Sequence, residues 1–204
     1  AGFPPLLLEI ANPPENIFVR GELPQFNLPW VAIVGTRKAT RDGVDLAKKV
    51  AKALAGKGFI IVSGLAMGID TASHEGALAG TGRTIAVLGN GIDTIYPAQN
   101  ENLAKKILAS GGAIISEYEP GTTAMPYRFL ERNRIVAGLC VATIVIEAPK
   151  KSGAIVTARL AAESGREVFV FPGVAGHPQY AGSHALIRDG ARLVNSVEDI
   201  LEDL

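Results

Sequence analysis

The sequence predicts an α/β protein with a doubly wound and mostly parallel sheet. Short apolar runs rich in Val and Ile alternate along the chain with segments of helical period, as in repeated strand–helix units. Most of these runs are followed at once by Gly or Ser, which is typical of a strand that turns towards a helix. Because the chain has 204 residues and 48% of them are hydrophobic, it can bury one large core.

The first 30 residues are set apart by their many prolines, which lack a backbone N–H and resist regular structure. We therefore predict a proline-rich leader at 1–30 with one short strand at 17–20, followed by the main domain at 31–204. The chain starts at Ala1 without a methionine, and we expect it to be part of a longer protein.

The strands of the main domain are predicted from runs of apolar and β-branched residues, as found in sheets buried on both faces. In chain order they lie at 31–34, 59–62, 84–88, 113–115, 141–146, 168–170 and 192–194.

The helices are predicted from apolar residues at helical spacing and from Gly at their ends. The first, at about 42–55, places Val44, Ala47, Val50, Ala51 and Leu54 on one face. The others lie at about 70–79, 100–109, 127–139, 154–164 and 184–189 and from 197 onward, with a loop predicted at 174–183.

The stretch 59–76 organises the predicted domain. Its strand ends at Ser63 and Gly64, and Asp70 lies at the start of a helix of small residues. Between them, Gly68 allows a backbone conformation that other residues disfavour. Backbone N–H groups and the positive end of a helix dipole would meet here, which favours an anion site. The alternative is a tight turn that holds no ligand.

A basic and polar rim is predicted where the parallel strands end, because ligands of open parallel sheets bind beyond the carboxyl ends of the strands. The residues that follow the strands include Gly35, Thr36, Arg37, Lys38, Ser63, Gly64, Lys150, Lys151 and Ser152. A second basic group comes from Arg128, Arg132 and Arg134. The alternative for any one of these cations is a solvated surface charge.

Several classes of protein find no support in the sequence. Twenty basic residues balance twenty acidic ones, so net charge gives no argument for nucleic acid. The single cysteine, Cys140, excludes an internal disulfide and fits a cytoplasmic protein. We find no apolar run long enough for a membrane span, no phosphate-binding P-loop motif, no serine nucleophile motif and no metal-ligand spacing of His. We expect no cofactor and no membrane partner.

Several motifs, in order, resemble the DNA-processing protein A family (DprA, also called Smf) over about residues 31–195. They are SGLAMGID at 63–70, GNGID at 89–93 followed by Tyr96, Pro97 and Asn100, RNRIVAGL at 132–139, Glu147 and Ala148 followed by Ser152, Gly153, Thr157 and Ala158, then Gly165, Arg166, Val168, Phe169, Pro172 and Gly173, and finally Leu186, Ile187, Gly190 and Ala191. The chain departs from the family at Ala98, where a basic residue is frequent, and at Cys140, where Ser is common.

The resemblance implies a domain that binds single-stranded DNA without performing chemistry, so that 31–204 is an extended Rossmann DNA-binding domain. It also implies loading of RecA recombinase onto that DNA in natural transformation, and a homodimer. The dimer contact is expected within 182–193, with His184, Leu186 and Leu193 as the positions to examine. The alternative is that Leu186 and Leu193 pack the last helix and strand onto the sheet. Members of the family often carry a helical domain before this fold and a winged-helix-like domain after it.

Combining the rim with the resemblance, we predict a DNA-binding set led by Arg37. Its members are Gly35, Thr36, Arg37, Lys38, Ser63, Gly64, Gly68, Asn100, Arg128, Arg132, Asn133, Lys150, Lys151 and Ser152. Arg132 and Arg134 are about 200° apart on a helix, so they cannot share a face. We predict that Arg132 contacts DNA beside Arg128, and that Arg134 is structural and pairs with Glu147 or Glu117.

The alternative function is an enzyme acting on a mononucleotide, similar to the lysine decarboxylase-like phosphoribohydrolases. Those enzymes carry a PGGxGT stretch, whereas residues 151–157 read KSGAIVT and lack the paired glycines. Asp70 and Glu147 are the candidates for a carboxylate pair, although no spacing in the sequence brings them together.

Overall fold

A single eight-stranded sheet forms the centre of the molecule in the computed structural model, which describes residues 3–204. The first two residues of the predicted leader, Ala1 and Gly2, lie outside the described residues. In chain order the strands are β1 (Phe18–Gly21), β2 (Trp30–Val34), β3 (Ile60–Ser63), β4 (Thr84–Val87), β5 (Ala113–Ser116), β6 (Ala142–Val145), β7 (Glu167–Val170) and β8 (Arg192–Leu193).

The strands are arranged in the order β1-β5-β4-β3-β2-β6-β7-β8, and only β1 runs antiparallel, against β5. The other neighbours pair in parallel, for example Val31 of β2 with Ile61 of β3 and with Ala142 of β6. The chain thus leaves β2 towards β3 on one side and later returns to place β6 on the other side. The predicted doubly wound, mostly parallel α/β fold is confirmed.

Seven helices within residues 3–204 cover the two faces of this sheet. They are α1 (Arg41–Gly56), α2 (Ile69–Ala79), α3 (Glu101–Ala109), α4 (Pro126–Gly138), α5 (Gly153–Glu163), α6 (Ala181–Arg188) and α7 (Val197–Glu202). Short 3-10 helices lie at Pro5–Glu9, Ala98–Asn100 and Pro178–Tyr180. None of the helices in this part of the chain combines the length and the apolar composition that crossing a membrane requires.

Strand β2 is covered on both of its faces, which explains why its sequence is apolar at every position. Trp30, Ala32 and Val34 pack into the core beneath α4 and α5, whereas Val31 and Ile33 pack beneath α1 on the other face. All five residues of the strand are buried. A strand covered on both faces cannot show the polar alternation of a half-exposed one, and its position was therefore predictable from a continuous apolar run.

The leader packs against the main domain rather than standing apart from it. Its strand β1, predicted at 17–20, pairs with β5, and Leu7 and Ile10 are buried in the same core as α4. A Cβ on Gly138 would lie 2.7 Å from the Cγ2 of Ile10, so this glycine permits the close contact. The 3-10 helix at Pro5–Glu9 was not predicted, because proline was interpreted as a signal against regular structure.

Helix α6 begins at Ala181, three residues before its predicted start. The backbone N–H groups of Gly182 and Ser183 both donate to the carbonyl oxygen of Ala148, at 2.9 and 3.1 Å. The predicted loop at 174–183 is consequently shorter, and its end is held against the segment that follows β6.

Candidate functional site

A crevice opens at the carboxyl ends of β2 and β6, where the strand order reverses. This is the place at which open α/β sheets bind ligands. The cavity there measures about 450 Å³. Its walls come from the loop after β2, the loop after β3, the first turns of α4 and α5, and the segment before α6. The predicted residues that line it are Gly35, Thr36, Arg37, Lys38, Gly64, Arg132, Asn133, Lys151 and Ser152.

Three exposed cations surround the crevice. Arg37 and Lys38 follow β2, and Lys151 follows β6, so they face each other across the reversal point. The guanidinium carbon of Arg37 lies 5.3 Å from the ring centroid of Phe129, which itself stacks on Tyr96 at 5.3 Å between centroids. The Arg37 charge is therefore held over an aromatic face at the mouth of the cavity.

The N-terminal turn of α5 forms one wall. Ser152 caps the helix, since its hydroxyl accepts a hydrogen bond of 3.2 Å from the backbone N–H of Ala154. Lys150 is exposed beside it but does not line the cavity.

The floor of the crevice contains the buried carboxylate of Asp70 in α2. It accepts hydrogen bonds from the backbone N–H groups of Gly64 and Ala66, at 3.1 and 3.3 Å. Burial raises the pKa of Asp70, while the charge of Arg132 and these N–H groups act in the opposite direction. Asp70 thereby closes the loop after β3, and the N–H of Gly64 is not available to an anion.

Arg132, which is predicted to contact DNA, lies inside the protein at the floor of the crevice. Only 4% of the residue is exposed. Its guanidinium donates a hydrogen bond of 2.7 Å to the carbonyl oxygen of Gly64 and a second one to that of Val87. Burial lowers the pKa of Arg132 to about 10, with Asp70 opposing the shift. The guanidinium of Arg132 lines the floor of the crevice, so its positive charge acts on the cavity although the side chain is buried.

Arg134 is structural, as predicted, and its partner is Glu117. The two guanidinium nitrogens of Arg134 donate to the two carboxylate oxygens of Glu117 at 2.8 and 2.6 Å. The basic stripe predicted for Arg128 and Arg132 does not form. The guanidinium of Arg128 lies 5.4 Å from the ring centroids of both Tyr118 and Tyr127, outside the cavity wall.

Two more predicted contacts are internal supports. Ser63 is fully buried and donates to the carbonyl oxygen of Ile33 at 2.7 Å. Asn100 is buried as well, and its side-chain amide donates to the carbonyl oxygen of Leu65 at 2.8 Å and to the hydroxyl of Thr71 at 2.9 Å. Neither lines the cavity, so their assignment as DNA contacts is corrected: Ser63 joins β3 to β2, and Asn100 holds the loop after β3 in place.

Gly68 is required for the two crevice loops to meet. Its φ is +79°, and a Cβ there would lie 2.4 Å from the carbonyl oxygen of Thr36. The loop after β3 thus packs directly on the loop after β2, and Gly68 permits this contact without reaching the cavity itself.

Glu147 and Asp70, the candidates for a carboxylate pair, have no hydrogen-bond partner in common. Glu147 is fully buried after β6 and accepts hydrogen bonds from the backbone N–H and the hydroxyl of Thr40, the latter at 2.6 Å. Its other contact is the Tyr180 hydroxyl, at 3.5 Å. Glu147 therefore anchors the end of the loop after β2 and the start of α1.

The crevice also contains residues that the sequence interpretation missed. Leu130 and Gln179 line it. Gln179 lies 141 positions from the loop that it contacts, and no local pattern indicates such a pairing.

The three positions predicted for a dimer contact differ in exposure. Leu186 is 5% exposed and packs in the core with α5, so its assignment to an interface is wrong. His184 is half-buried, with its Nε2 at 3.1 Å from the carbonyl oxygen of Gly173. Leu193 is 48% exposed on the edge strand β8.

The family model described as DNA recombination-mediator protein A matches residues 1–204. The chain belongs to this family. The resemblance stated from the motifs is thereby confirmed. Among curated relatives, Protein Smf of Escherichia coli is 44% identical over 202 residues, which is 99% of this chain and 54% of that protein. DNA processing protein DprA of Streptococcus pneumoniae is 42% identical over 197 residues, which is 97% of this chain and 69% of that protein. The chain thus spans only about half the length of the first relative.

Solved structures of family members superpose on the whole chain. DNA processing protein A from Streptococcus pneumoniae matches with a TM-score of 0.93 and 42% identity, over 99% of this chain and 71% of that chain. The protein from Helicobacter pylori, whose structure concerns its single-stranded DNA binding mode, matches with a TM-score of 0.90 and 31% identity, over 100% of this chain and 93% of that chain. A molybdenum cofactor binding protein from Rippkaea orientalis, at 16% identity and a TM-score of 0.62, shares the fold alone.

Proposed function

We propose that this chain binds single-stranded DNA at the crevice between β2 and β6 and performs no chemistry on it. The observation that carries the proposal is the placement of Arg37, Lys38 and Lys151 around one cavity at the reversal point of the sheet. Three exposed cations around a concave site suit a phosphate backbone, because charge-assisted hydrogen bonds to phosphate are among the strongest in proteins. The single-stranded DNA binding mode named for the Helicobacter pylori relative supports the choice of ligand.

The small volume of the crevice, about 450 Å³, favours a single strand over a duplex. A single strand can bend its backbone into a small cavity, whereas the two strands of a duplex hold their phosphates on the outside of a stiff helix. Since the net charge of the chain is zero, binding depends on this local group of cations and not on a general positive field.

We further propose that this cytoplasmic domain acts as a homodimer that loads RecA recombinase onto incoming DNA in natural transformation. The family assignment supports the role of recombination mediator. The exposed Leu193 on the edge strand β8 supports a contact between two copies at that edge.

The test is a gel shift that compares single- and double-stranded DNA of equal length. We expect the single strand to be shifted at lower protein concentration; equal affinity for both forms would contradict the proposal. RecA filament assembly on the same single strand, followed with and without the full-length protein, tests the mediator role, and an unchanged assembly rate would contradict it. Incubation with nucleoside monophosphates should release no free base.

A further inference from the structure

The segment between β7 and α6 folds back on itself beside the crevice. The ring of Tyr180 lies directly over Gly173, where a Cβ would be 2.0 Å from the ring. At the end of the segment, the N–H groups of Gly182 and Ser183 bond to the carbonyl oxygen of Ala148. The segment is therefore anchored at its own start and on the residues that follow β6, and it has a defined position relative to the cavity.

From this position, Gln179 reaches the loop that carries two of the three rim cations. Its side-chain nitrogen donates a hydrogen bond of 2.7 Å to the carbonyl oxygen of Lys38. Among residues 3–204, Gln179 is the only residue outside the loop that hydrogen-bonds to Arg37, Lys38 or Ala39. The hydrogen bonds on either side are those of Thr36 with the backbones of Glu147 and Ile69, and those of Thr40 with the side chain of Glu147.

We infer that Gln179 is a positioning residue for the binding of single-stranded DNA, acting through the backbone of Lys38. The inference rests on the proposed function of the crevice. Glu147 fixes the two ends of the loop, at Thr36 and Thr40, and Gln179 fixes its middle. Without that contact, the Lys38 backbone keeps only the hydrogen bond of 3.2 Å from its N–H to the Thr36 hydroxyl, and the middle of the loop becomes more mobile. Binding must then restrict a more mobile loop, which costs conformational entropy and weakens affinity without removing any charge.

The proposal is specific to Gln179 rather than to the whole segment. Tyr180 contacts Glu147 only at 3.5 Å and packs on Gly173, so it stabilises the segment itself. Gln179 is the residue that connects the segment to the cations. It also lines the cavity, but its neutral amide offers no charge to a phosphate. A neutral amide can still hydrogen-bond DNA directly, so the exchange of the loop measured without DNA separates that role from positioning.

The test uses Gln179→Ala with Gln99→Ala as the matched control. Gln99 is exposed on the 3-10 helix at Ala98–Asn100 and does not line the crevice. Amide hydrogen exchange is measured over residues 35–40 in the absence of DNA, and the affinity for a single strand is measured at several salt concentrations. For Gln179→Ala we expect faster exchange in that loop, an unchanged melting temperature and an affinity lower by about threefold to tenfold. The slope of affinity against salt should stay the same, because the same cations are present.

Unchanged exchange over 35–40 in Gln179→Ala would overturn the inference, whether or not the chain binds DNA. Faster exchange with unchanged affinity would overturn it too, provided that Arg37→Ala weakens binding in the same assay. If Arg37→Ala and Gln179→Ala both bind as the unmodified chain does, the crevice is not the DNA site, and the proposed function fails together with the inference. A salt slope that decreases in Gln179→Ala would show that the residue acts on charge and would also contradict its positioning role.

Discussion

The guanidinium of Arg132 lies directly against the backbone of Gly64, 68 positions earlier in the chain, and donates a hydrogen bond of 2.7 Å to its carbonyl oxygen. A Cβ on Gly64 would lie 2.5 Å from the guanidinium, so the absence of a side chain there makes room for this contact. Helix α4 and the loop after β3 are connected by this contact under the floor of the crevice. Arg132 thus links the two walls that a bound strand would touch.

Replacing Arg132 with Ala should destabilise the fold more than it affects DNA binding. The change leaves Asp70 buried without its nearest opposite charge and removes the donor to two buried carbonyl oxygens. We expect a loss of about 3 kcal/mol in the free energy of unfolding, measured by urea denaturation. Arg134→Ala is the control and should lose about 1 kcal/mol, since its partner Glu117 lies nearer the surface. A stable Arg132→Ala variant that has lost its DNA affinity would contradict the structural role.

Replacing Arg37 with Ala should weaken the binding of single-stranded DNA by about 1.5–3 kcal/mol, because it removes a charged donor at the mouth of the crevice. Fluorescence anisotropy with a labelled oligonucleotide measures the change. Arg83→Ala is the matched control, since Arg83 is an exposed arginine just before β4, at the opposite edge of the sheet. Equal affinity of the two variants, with both folded, would rule out Arg37 as a principal phosphate ligand.

Binding should depend strongly on salt and little on base sequence. If Arg37, Lys38 and Lys151 each neutralise one phosphate, the logarithm of affinity should fall against the logarithm of salt concentration with a slope of about −2 per chain, at about −0.7 per phosphate. Lys151→Gln should reduce the magnitude of that slope by about 0.7. A flat response, or a strong preference for one short sequence, would argue against recognition through the phosphates.

Replacing Leu193 with Arg should give a folded monomer if the edge strand β8 carries the dimer contact. Leu193 is exposed, so the new charge costs the single chain little but would be buried between two copies. Light scattering reports the mass, and circular dichroism reports the fold. Leu8→Arg, on the leader's exposed surface, is the control and should leave the mass unchanged. A Leu193→Arg dimer would place the interface elsewhere.

Stability should fall as the pH is lowered from about 6.5 towards 3, in part because of His74. Burial, together with the charge of Arg132, lowers the pKa of this histidine to about 3, so the native state stays neutral where the unfolded chain takes up a proton. Its contribution is about 1.4 kcal/mol per pH unit within that window. Urea denaturation of the unmodified chain and of His74→Gln between pH 6.5 and 4.5 isolates the effect. Parallel curves for the two proteins would exclude it.

The sequence predicts the strands and the rim well because both have local signals. A fully covered strand such as β2 is a continuous apolar run, and in a parallel sheet the residue after each strand must lie at the same edge. Arg37, Lys38 and Lys151 could be located in this way. Which of the rim residues point outward could not, since that depends on partners far along the chain.

Arg132 and Asn100 illustrate the missing information. In the sequence each is a polar residue near the predicted edge, with nothing nearby to pair with. Their partners are carbonyl oxygens of Gly64, Val87 and Leu65, and every backbone offers such acceptors. Only the folded structure determines which carbonyl oxygen remains without a backbone donor and can accept a hydrogen bond from a side chain. The same reason hid Gln179, whose acceptor is the carbonyl of Lys38.

The antiparallel strand β1 has a consequence for the solubility of the domain. Because β1 pairs along the whole of β5, the backbone groups of β5 are not exposed as a template for strands of other molecules. Strand β1 is now the outer strand on this side of the sheet, and it is poorly suited to pairing with a strand of another molecule. It is only four residues long, includes Arg20 and ends at Gly21 with a φ of +87°. At the other side of the sheet, β8 is two residues long. The strand of the proline-rich leader therefore covers an edge of the parallel sheet at which another molecule could otherwise add a strand.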